Sequence, residues 1–561
     1  MSQRAANRRI RLLGAALALA LSLALARAGW IQVVRAGSLA KLADAQQTLT
    51  VPVPAPRGTI FDRNSVELAT NEDSITISAD PKIVRSPANE ARRAAAVLGL
   101  DLQDKAALLE KLADRKSRFT YVARQVPLAK AKKRERMKLA GFFFTIEPKR
   151  VYPLGPLAAQ TIGFAGVDNR GLTGLELAYE KSLLGRDGEK TVVRDPAGRE
   201  IDMKSTTYEK PGADLTLTID SVIQQYVQQV LAQARKTWQA RSASAVVLDP
   251  RSGAVLAMAT APSYDANSTS QTALPLQLNR SVTDAYEPGS TFKLVTVAGA
   301  LSEGLVSPQT SFTLPYSIMV SDKRIHDSHP RGTEQMSVTK ILTVSSNVGV
   351  ATIATQLLGS ERLDRWIKRF GFGEKTGIDF PGESQGIVLP LDQWYGSAAG
   401  TIPIGQGIAV TSLQLAAAYA AIANKGVWLQ PHLVSQIGVK PAPAPKRRRV
   451  VTSTVAAQLM AMLSNVVAEG TGTEAEIPGY SVAGKTGTAG KPDPRTGGYL
   501  AGKYVASFVG AVPASNPRLV ILVTVDEPRS SIWGGSVAAP AFREIALDCL
   551  RYLEVPPDRA S

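Results

Sequence analysis

The sequence predicts an α+β protein: an antiparallel sheet with a helical region, set behind a mixed N-terminal segment and a single N-terminal membrane helix. Three observations lead there. A wholly apolar run follows a basic tail at the very start of the chain. Strand-like runs open the C-terminal part, give way to helical patterning, and return near the end, so early and late strands must meet in one sheet. The 561 residues exceed what one core holds and suggest two or three domains.

The N-terminal element comes first. Met1 to Arg11 carries Arg4, Arg8, Arg9 and Arg11 and no acid, and Leu12 to Ala26 is uncharged. Read through Arg27 to Val34, the apolar segment is long enough to span a bilayer. Arg27 near its outer end can snorkel to the headgroups, and Trp30 suits the interface. The basic flank is expected to stay in the cytoplasm, which exports the rest. Ala24-Leu25-Ala26 also fits a signal-peptidase site, so a cleaved signal peptide is the alternative. Either reading points away from nucleic acid. The net charge of +17, from 65 Lys plus Arg against 48 Asp plus Glu, suits anionic surroundings without choosing among them. Cys549 is the only cysteine, which excludes an intrachain disulfide.

Residues 35–212 are mixed. Val51-Pro52-Val53-Pro54-Ala55-Pro56 reads as extended. Asn89 to Leu98 and Lys130 to Leu139 read as charged helices, the second with a Lys/Arg cluster on a solvated face. From Asp214 the texture changes. Leu215 to Ile219 alternates like a strand, and Ser221 to Ala234 follows as a helix. Ala245 to Leu248 and Ala254 to Met258 flank a turn at Asp249-Pro250-Arg251-Ser252-Gly253 and make a hairpin. Helical patterning dominates from Phe292 to Leu463, and Pro441 to Arg449 reads as a surface loop. Strands return at Tyr480 to Thr486, Tyr504 to Val512 and Leu519 to Val525, before a last helix at Ala541 to Leu553. The expected organisation is a basic tail (1–11), an anchor (12–34), a pedestal (35–212) and a catalytic domain (213–561).

Three short motifs carry chemistry. In Glu287-Pro288-Gly289-Ser290-Thr291-Phe292-Lys293, a Pro-Gly turn places Ser290 at the first turn of an apolar helix, where free N–H groups favour developing negative charge. Lys293, three residues on, shares its face and can take the hydroxyl proton. With an ordinary pKa of about 10.4, only about one lysine in 2,500 is neutral at pH 7, so burial or a second cation must depress it. Ser345-Ser346-Asn347 follows 55 residues after the serine; alone it reads as a helix cap, and in a site Ser345 could relay a proton while Asn347 holds a substrate amide. Gly484-Lys485-Thr486-Gly487-Thr488 closes a strand 140 residues after Ser345. Gly487 leaves room for a substrate backbone, Lys485 offers the second cation and attracts a carboxylate, and Thr486 and Thr488 offer hydroxyls. Lys375-Thr376-Gly377 repeats the third motif, but in turn-rich sequence, and is read as structural. His326 and His329 lack a third ligand, and no metal is expected.

Each motif is weak alone; in this order within an exported chain they form the set found in penicillin-binding proteins and related β-lactamases. The chain resembles a class B penicillin-binding protein of the division-specific type. The likeness includes Arg57-Gly58-Thr59-Ile60-Phe61-Asp62-Arg63-Asn64, where Ser65 replaces the usual glycine. It extends to Arg150-Val151-Tyr152-Pro153, Gly171-Leu172-Thr173-Gly174-Leu175-Glu176, Arg194-Asp195 and Gly198-Arg199.

The resemblance implies a serine β-lactamase/transpeptidase-like domain on a non-catalytic pedestal, anchored in the bacterial inner membrane with the catalytic domain periplasmic, and no cofactor. It implies that Ser290 attacks the penultimate D-Ala carbonyl of a stem peptide with Lys293 as base. Ser345 would shuttle the proton and Asn347 orient the peptide. Lys485, Thr486 and Thr488 would bind the carboxylate, and the N–H groups of Ser290 and Thr488 would form the oxyanion hole. Expected partners are D-Ala-D-Ala stem peptides, β-lactams, a septal SEDS-type glycosyltransferase and small bitopic division proteins. A D,D-carboxypeptidase, a β-lactamase or a β-lactam sensor would use the same acylation site, and a division scaffold with a dead site is the non-enzymatic alternative.

Overall fold

Arginine, alanine, leucine and glutamine are strong helix formers, and the N-terminal helix accordingly starts earlier than the apolar run. In the computed structural model it covers Gln3–Gly29 and continues as a π-helical turn over Trp30–Val34, taking in the basic tail. Its leucines are exposed throughout, and Gln3–Val34 is the one helix among the described residues long and apolar enough to cross a membrane. The structure describes residues 3–129, 131, 141–194, 200–270 and 272–559. Nearly all of the basic segment 130–139 lies outside them, as do Asp195, Gly198 and Arg199.

The chain divides into two compact units. The first comprises Met1–Pro56, Asp73–Pro148 and Gly185–Pro211. In it, Thr48–Val53, Gly188–Arg194 and Glu200–Thr207 form a three-stranded antiparallel sheet, and Val51-Pro52-Val53 of the Pro-rich stretch lies in its edge strand, where a residue without an N–H is tolerated. A small core of Ile75, Ile77, Val122, Val126 and Phe142 is covered by Ala91, Ala94, Leu108 and Leu112 from the helices Pro87–Leu98 and Leu102–Ala113.

The second unit comprises Arg57–Glu72, Lys149–Leu184 and Gly212–Ser561, so two stretches of the expected pedestal segment pack into the same unit as the catalytic segment. Buried charge ties them together. Glu176 is fully buried and accepts from Arg57 Nε (2.5 Å), Arg150 Nε (2.7 Å) and the Tyr152 hydroxyl (3.3 Å). Arg57 also meets Glu180 at 2.6 Å. Asp62 anchors the next turn, accepting from the Asn64 and Val66 N–H groups and, through its other oxygen, from the Ser221 N–H and hydroxyl.

Ser65, at the position where the resemblance expects glycine, is exposed and holds φ at 67°. A side chain in this left-handed region is strained by roughly 1–2 kcal/mol. Ser65→Gly is therefore expected to stabilise the protein by up to about 1 kcal/mol, read as a rise in thermal midpoint. A fall would mean that the serine hydroxyl contributes more than the backbone loses.

The central sheet runs β2-β1-β5-β4-β3, antiparallel throughout, where β1 is Ser242–Leu248, β2 Val255–Ala261, β3 Ala483–Pro492, β4 Tyr499–Val512 and β5 Leu519–Asp526. Early and late strands thus meet as the sequence predicts. Alternate residues face opposite ways. Ala245, Val247, Ile521 and Val523 pack with helices α1 (Ser221–Thr237) and α7 (Ala539–Tyr552). Val246, Leu248, Val520 and Leu522 join the larger core on the other face. That core holds α2 (Lys293–Ser302), α3 (Val338–Thr343), α4 (Asn347–Thr352), α5 (Ser412–Ala423) and α6 (Ser453–Ala468). Helix α5 is apolar nearly all round because it is buried on nearly all sides.

The region read as helical also contains short strands, among them Ser311–Leu314, Ser317–Val320, Lys323–His326 and Glu334–Ser337, which form two antiparallel pairs. Strands this short, with mixed polar and apolar faces, leave no period to read.

Candidate active site

The first of the three motifs begins with a turn that only glycine fits. Gly289 has φ at 55°, and a Cβ there would lie 2.8 Å from the Thr488 carbonyl oxygen. Its N–H donates to the Gly405 carbonyl (3.1 Å), and a Cβ on Gly405 would in turn strike the Gly289 oxygen at 2.1 Å. Ser290 follows in a single 3-10 turn, Gly289–Phe292, that runs directly into α2. From α5, the Tyr419 hydroxyl donates to the Thr291 carbonyl (2.8 Å), and Thr296 Oγ1 donates to the Pro403 carbonyl (3.1 Å). Glu287 accepts from the Gly407 N–H (2.8 Å) and from the Tyr499 hydroxyl (2.9 Å), and burial raises its pKa. Residues 403–407, α5 and the β3–β4 edge therefore fix the serine turn from three sides.

Lys293, at the first position of α2, is fully buried. Its Nζ donates to the Ser345 carbonyl (2.6 Å), the Ser345 hydroxyl (3.1 Å) and Asn347 Oδ1 (2.7 Å). Burial pulls its pKa down to about 7, against the opposing pull of the Asp327 carboxylate. Near neutral pH about half of these amines are free bases, against about one in 2,500 for an ordinary lysine. The Ser290 hydroxyl makes no hydrogen bond among the described residues; catalytic bonds of this kind often close only with substrate present.

Ser345 stands at φ 60°, and Ser346 caps α4 by accepting from the Gly349 N–H (2.9 Å). The Asn347 amide is oriented by its two bonds, Oδ1 toward Lys293 and Nδ2 toward the His326 carbonyl (2.9 Å).

The third motif lies on β3, with Lys485, Thr486, Gly487 and Thr488 opposite Val509, Phe508, Ser507 and Ala506 of β4. Lys485 is fully buried, and its Nζ donates to the Thr486 carbonyl (3.3 Å) and hydroxyl (3.2 Å). Its pKa lies well below the usual value, through burial first and the Lys293 charge second. The sequence names burial or a second cation as what must depress Lys293; burial is the larger cause, and the charge of Lys293 in turn lowers Lys485. The Thr486 hydroxyl also meets the Thr471 hydroxyl at 2.7 Å, while Thr488 Oγ1 accepts from the Gly534 N–H (3.1 Å). Gly487 is packed rather than open: a Cβ there would meet Ser507 Oγ at 2.3 Å and the Pro288 carbonyl at 3.0 Å. Its missing side chain lets β3 close on the serine turn.

The structure thus brings Lys293, Ser345 and Asn347 into direct contact, seats Lys485 within electrostatic reach of Lys293, and packs Gly487 and Thr488 on the turn that carries Ser290. The sequence reading missed Tyr419, Gly405, Gly407, Thr471 and Asp327, which reach the site from distant segments. The second Lys-Thr-Gly lies in a turn around Glu383, whose carboxylate accepts from the Thr376 N–H and hydroxyl (both 2.6 Å) and the Gly377 N–H (3.0 Å). The His326 ring is turned to the Asp327 carbonyl, and the His329 ring lies tilted beside Trp533, with centroids 6.0 Å apart. No cluster of three or more His, Cys, Asp or Glu suited to a metal ion occurs among the described residues.

Residues 243–547 match the penicillin binding protein transpeptidase domain, and residues 52–217 match the penicillin-binding protein dimerisation domain. The chain is 36% identical over 557 residues to the peptidoglycan D,D-transpeptidase FtsI of Escherichia coli, covering 98% of this chain and 92% of that protein. It is 35% identical over 550 residues to stage V sporulation protein D of Bacillus subtilis, covering 95% of this chain and 83% of that one. Among solved structures it is similar to penicillin binding protein 3 of Mycobacterium tuberculosis in complex with aztreonam. The TM-score is 0.71 at 31% identity, over 91% of this chain and 98% of that one.

Proposed function

Since the chain belongs to the penicillin-binding protein family and is a serine-type peptidoglycan D,D-transpeptidase, sensitive to β-lactams and engaged in septal wall synthesis, we propose that Ser290 is its nucleophile and Lys293 its base. The observation that carries this is the fully buried Lys293 amine, one helical turn after Ser290 and held by Ser345 and Asn347.

In the first half-reaction the donor stem lies along β3, its terminal carboxylate drawn toward Lys485, Thr486 and Thr488. Lys293 takes the Ser290 proton as Oγ adds to the penultimate D-Ala carbonyl. The N–H groups of Ser290 and Thr488 hold the oxyanion, a large term in such reactions. Ser345 passes the proton to the leaving nitrogen, the C–N bond breaks, and terminal D-Ala departs. In the second half-reaction the acceptor amine attacks the ester, its proton returns through the same groups, and Ser290 is regenerated as the new peptide bond forms. Asn347 orients the donor backbone in both steps. A β-lactam enters the same path but its leaving nitrogen stays tethered, so the ester persists.

In this reading residues 1–11 are cytoplasmic, 12–34 cross the inner membrane, 35–212 form the pedestal and 213–561 the catalytic domain outside the cytoplasm. The partners are a septal SEDS-type glycosyltransferase and small bitopic division proteins.

The test is mass spectrometry of the full-length protein in detergent after incubation with benzylpenicillin. The expected result is one added drug mass, persisting for hours, on the peptide containing Ser290. A protein that stays unmodified with intact drug, or an adduct mapped elsewhere, would overturn the assignment. Rapid loss of drug with free protein would make the chain a β-lactamase instead.

A further inference from the structure

Asp327 has no part in the reaction as described, yet it is buried beside it. It follows the strand Lys323–His326, and its carboxylate gathers three residues. One oxygen accepts from the Val348 N–H (3.0 Å) and both lie near the Ser346 hydroxyl (2.9 and 3.0 Å). The second oxygen meets Arg331 through Nε (3.0 Å) and Nη2 (2.7 Å). Arg331 is itself fixed by the carbonyls of Leu314, Pro315 and Gly332. The carbonyl of the preceding residue, His326, accepts from Asn347 Nδ2.

Resting on the assignment of Ser290 and Lys293 above, we propose that Asp327 is a positioning residue for acylation. Clamped by Arg331, it holds the Ser345-Ser346-Asn347 turn so that three oxygens face the Lys293 amine. Two arguments carry this. Ser345 sits in the left-handed region, a conformation that costs of order 1–3 kcal/mol and persists only where neighbours enforce it. The enforcing bonds go to Ser346 and Val348, directly around Asn347. The second argument is charge. The ionisable groups set around the Lys293 amine are Lys485 from β3, and Asp327 backed by Arg331 from the loop between the strands Lys323–His326 and Glu334–Ser337. Asp327 is the anion among them, and it favours the proton on Lys293. The carboxylate thus sets both the place of the base and the pH at which it becomes free.

The experiment is the second-order rate of acylation of full-length protein by a fluorescent penicillin, measured from pH 5.5 to 9 for wild type, Asp327→Asn, Asp327→Glu and Arg331→Met. Removing the carboxylate charge in Asp327→Asn is expected to move the rising limb to lower pH by about half a unit or more, and to lower the plateau by about 10- to 100-fold as the turn loosens. Asp327→Glu keeps the charge and should restore the position of the limb. Arg331→Met leaves Asp327 less neutralised and should move the limb the other way. An Asp327→Asn limb that coincides with wild type, or an Arg331→Met limb that is unmoved or shifted downward, would overturn the proposal. The Arg331 variant decides alone if Asp327→Asn does not fold. Absence of acylation in the wild type would instead remove the Ser290 assignment on which the proposal rests.

Discussion

Lys293→Met is expected to slow acylation by penicillin about 10²- to 10⁴-fold, the range that a positioned general base supplies. The methionine stem fills much of the space of the lysine stem, so the fully buried site on α2 remains packed. What disappears is the amine that faces Ser345 and Asn347. The pH dependence separates this from a general loss of structure. In the wild type the free amine is the active form, and its pKa is about 7. The rate should therefore climb about tenfold per pH unit well below that value and level off above it. In Lys293→Met the rate should be low at every pH with no limb near 7. A variant acylated at the wild-type rate, or one that keeps the limb, would remove Lys293 from the role of base.

The second large effect is on stability. Glu176→Ala is expected to cost about 3–5 kcal/mol, because it leaves Arg57 and Arg150 buried without their shared carboxylate. That is a large share of the roughly 5–15 kcal/mol by which a typical domain is stable. Tyr152 belongs to the same cluster, and burial together with the Glu176 charge holds its phenol neutral well above the usual pH range. Chemical denaturation of the full-length protein in detergent should show an earlier midpoint. Penicillin acylation of the molecules still folded should be unchanged, since Glu176 touches none of the acylation residues. A loss below about 1 kcal/mol would mean that the cluster fixes geometry without supporting stability.

The residues proposed for acylation were legible in the sequence because their signals are local. Ser290 and Lys293 lie on one helical face, Ser345-Ser346-Asn347 spells a cap, and Gly484 to Thr488 ends a recognisable strand. The residues that hold them were not legible, because nothing local marks them. Tyr419 reaches Thr291 across 128 positions and Tyr499 reaches Glu287 across 212. Asp327, between His326 and His329, drew no reading of its own, since a lone acid before a polar loop has no pattern to read. Gly487 was explained by substrate approach, whereas the crowding comes from Pro288 and Ser507 of the protein itself. The sheet was readable from the gap between early and late strands. The four short strands between residues 311 and 337 were not, being too brief for any period to emerge.

The sheet's order has a consequence for timing. Strand β1 is paired with β5, and Ser244 meets Thr524 across 280 positions. Contacts this distant along the chain form late, after a large loop has closed. A nascent chain made from its N-terminus carries Ser290 and Lys293 long before the backbone of Thr488 exists to close against Gly289. Until the last strands are synthesised, the growing polypeptide holds Ser290 without the β3 side of the proposed site, and on that assignment it can neither join wall strands nor be captured by an antibiotic.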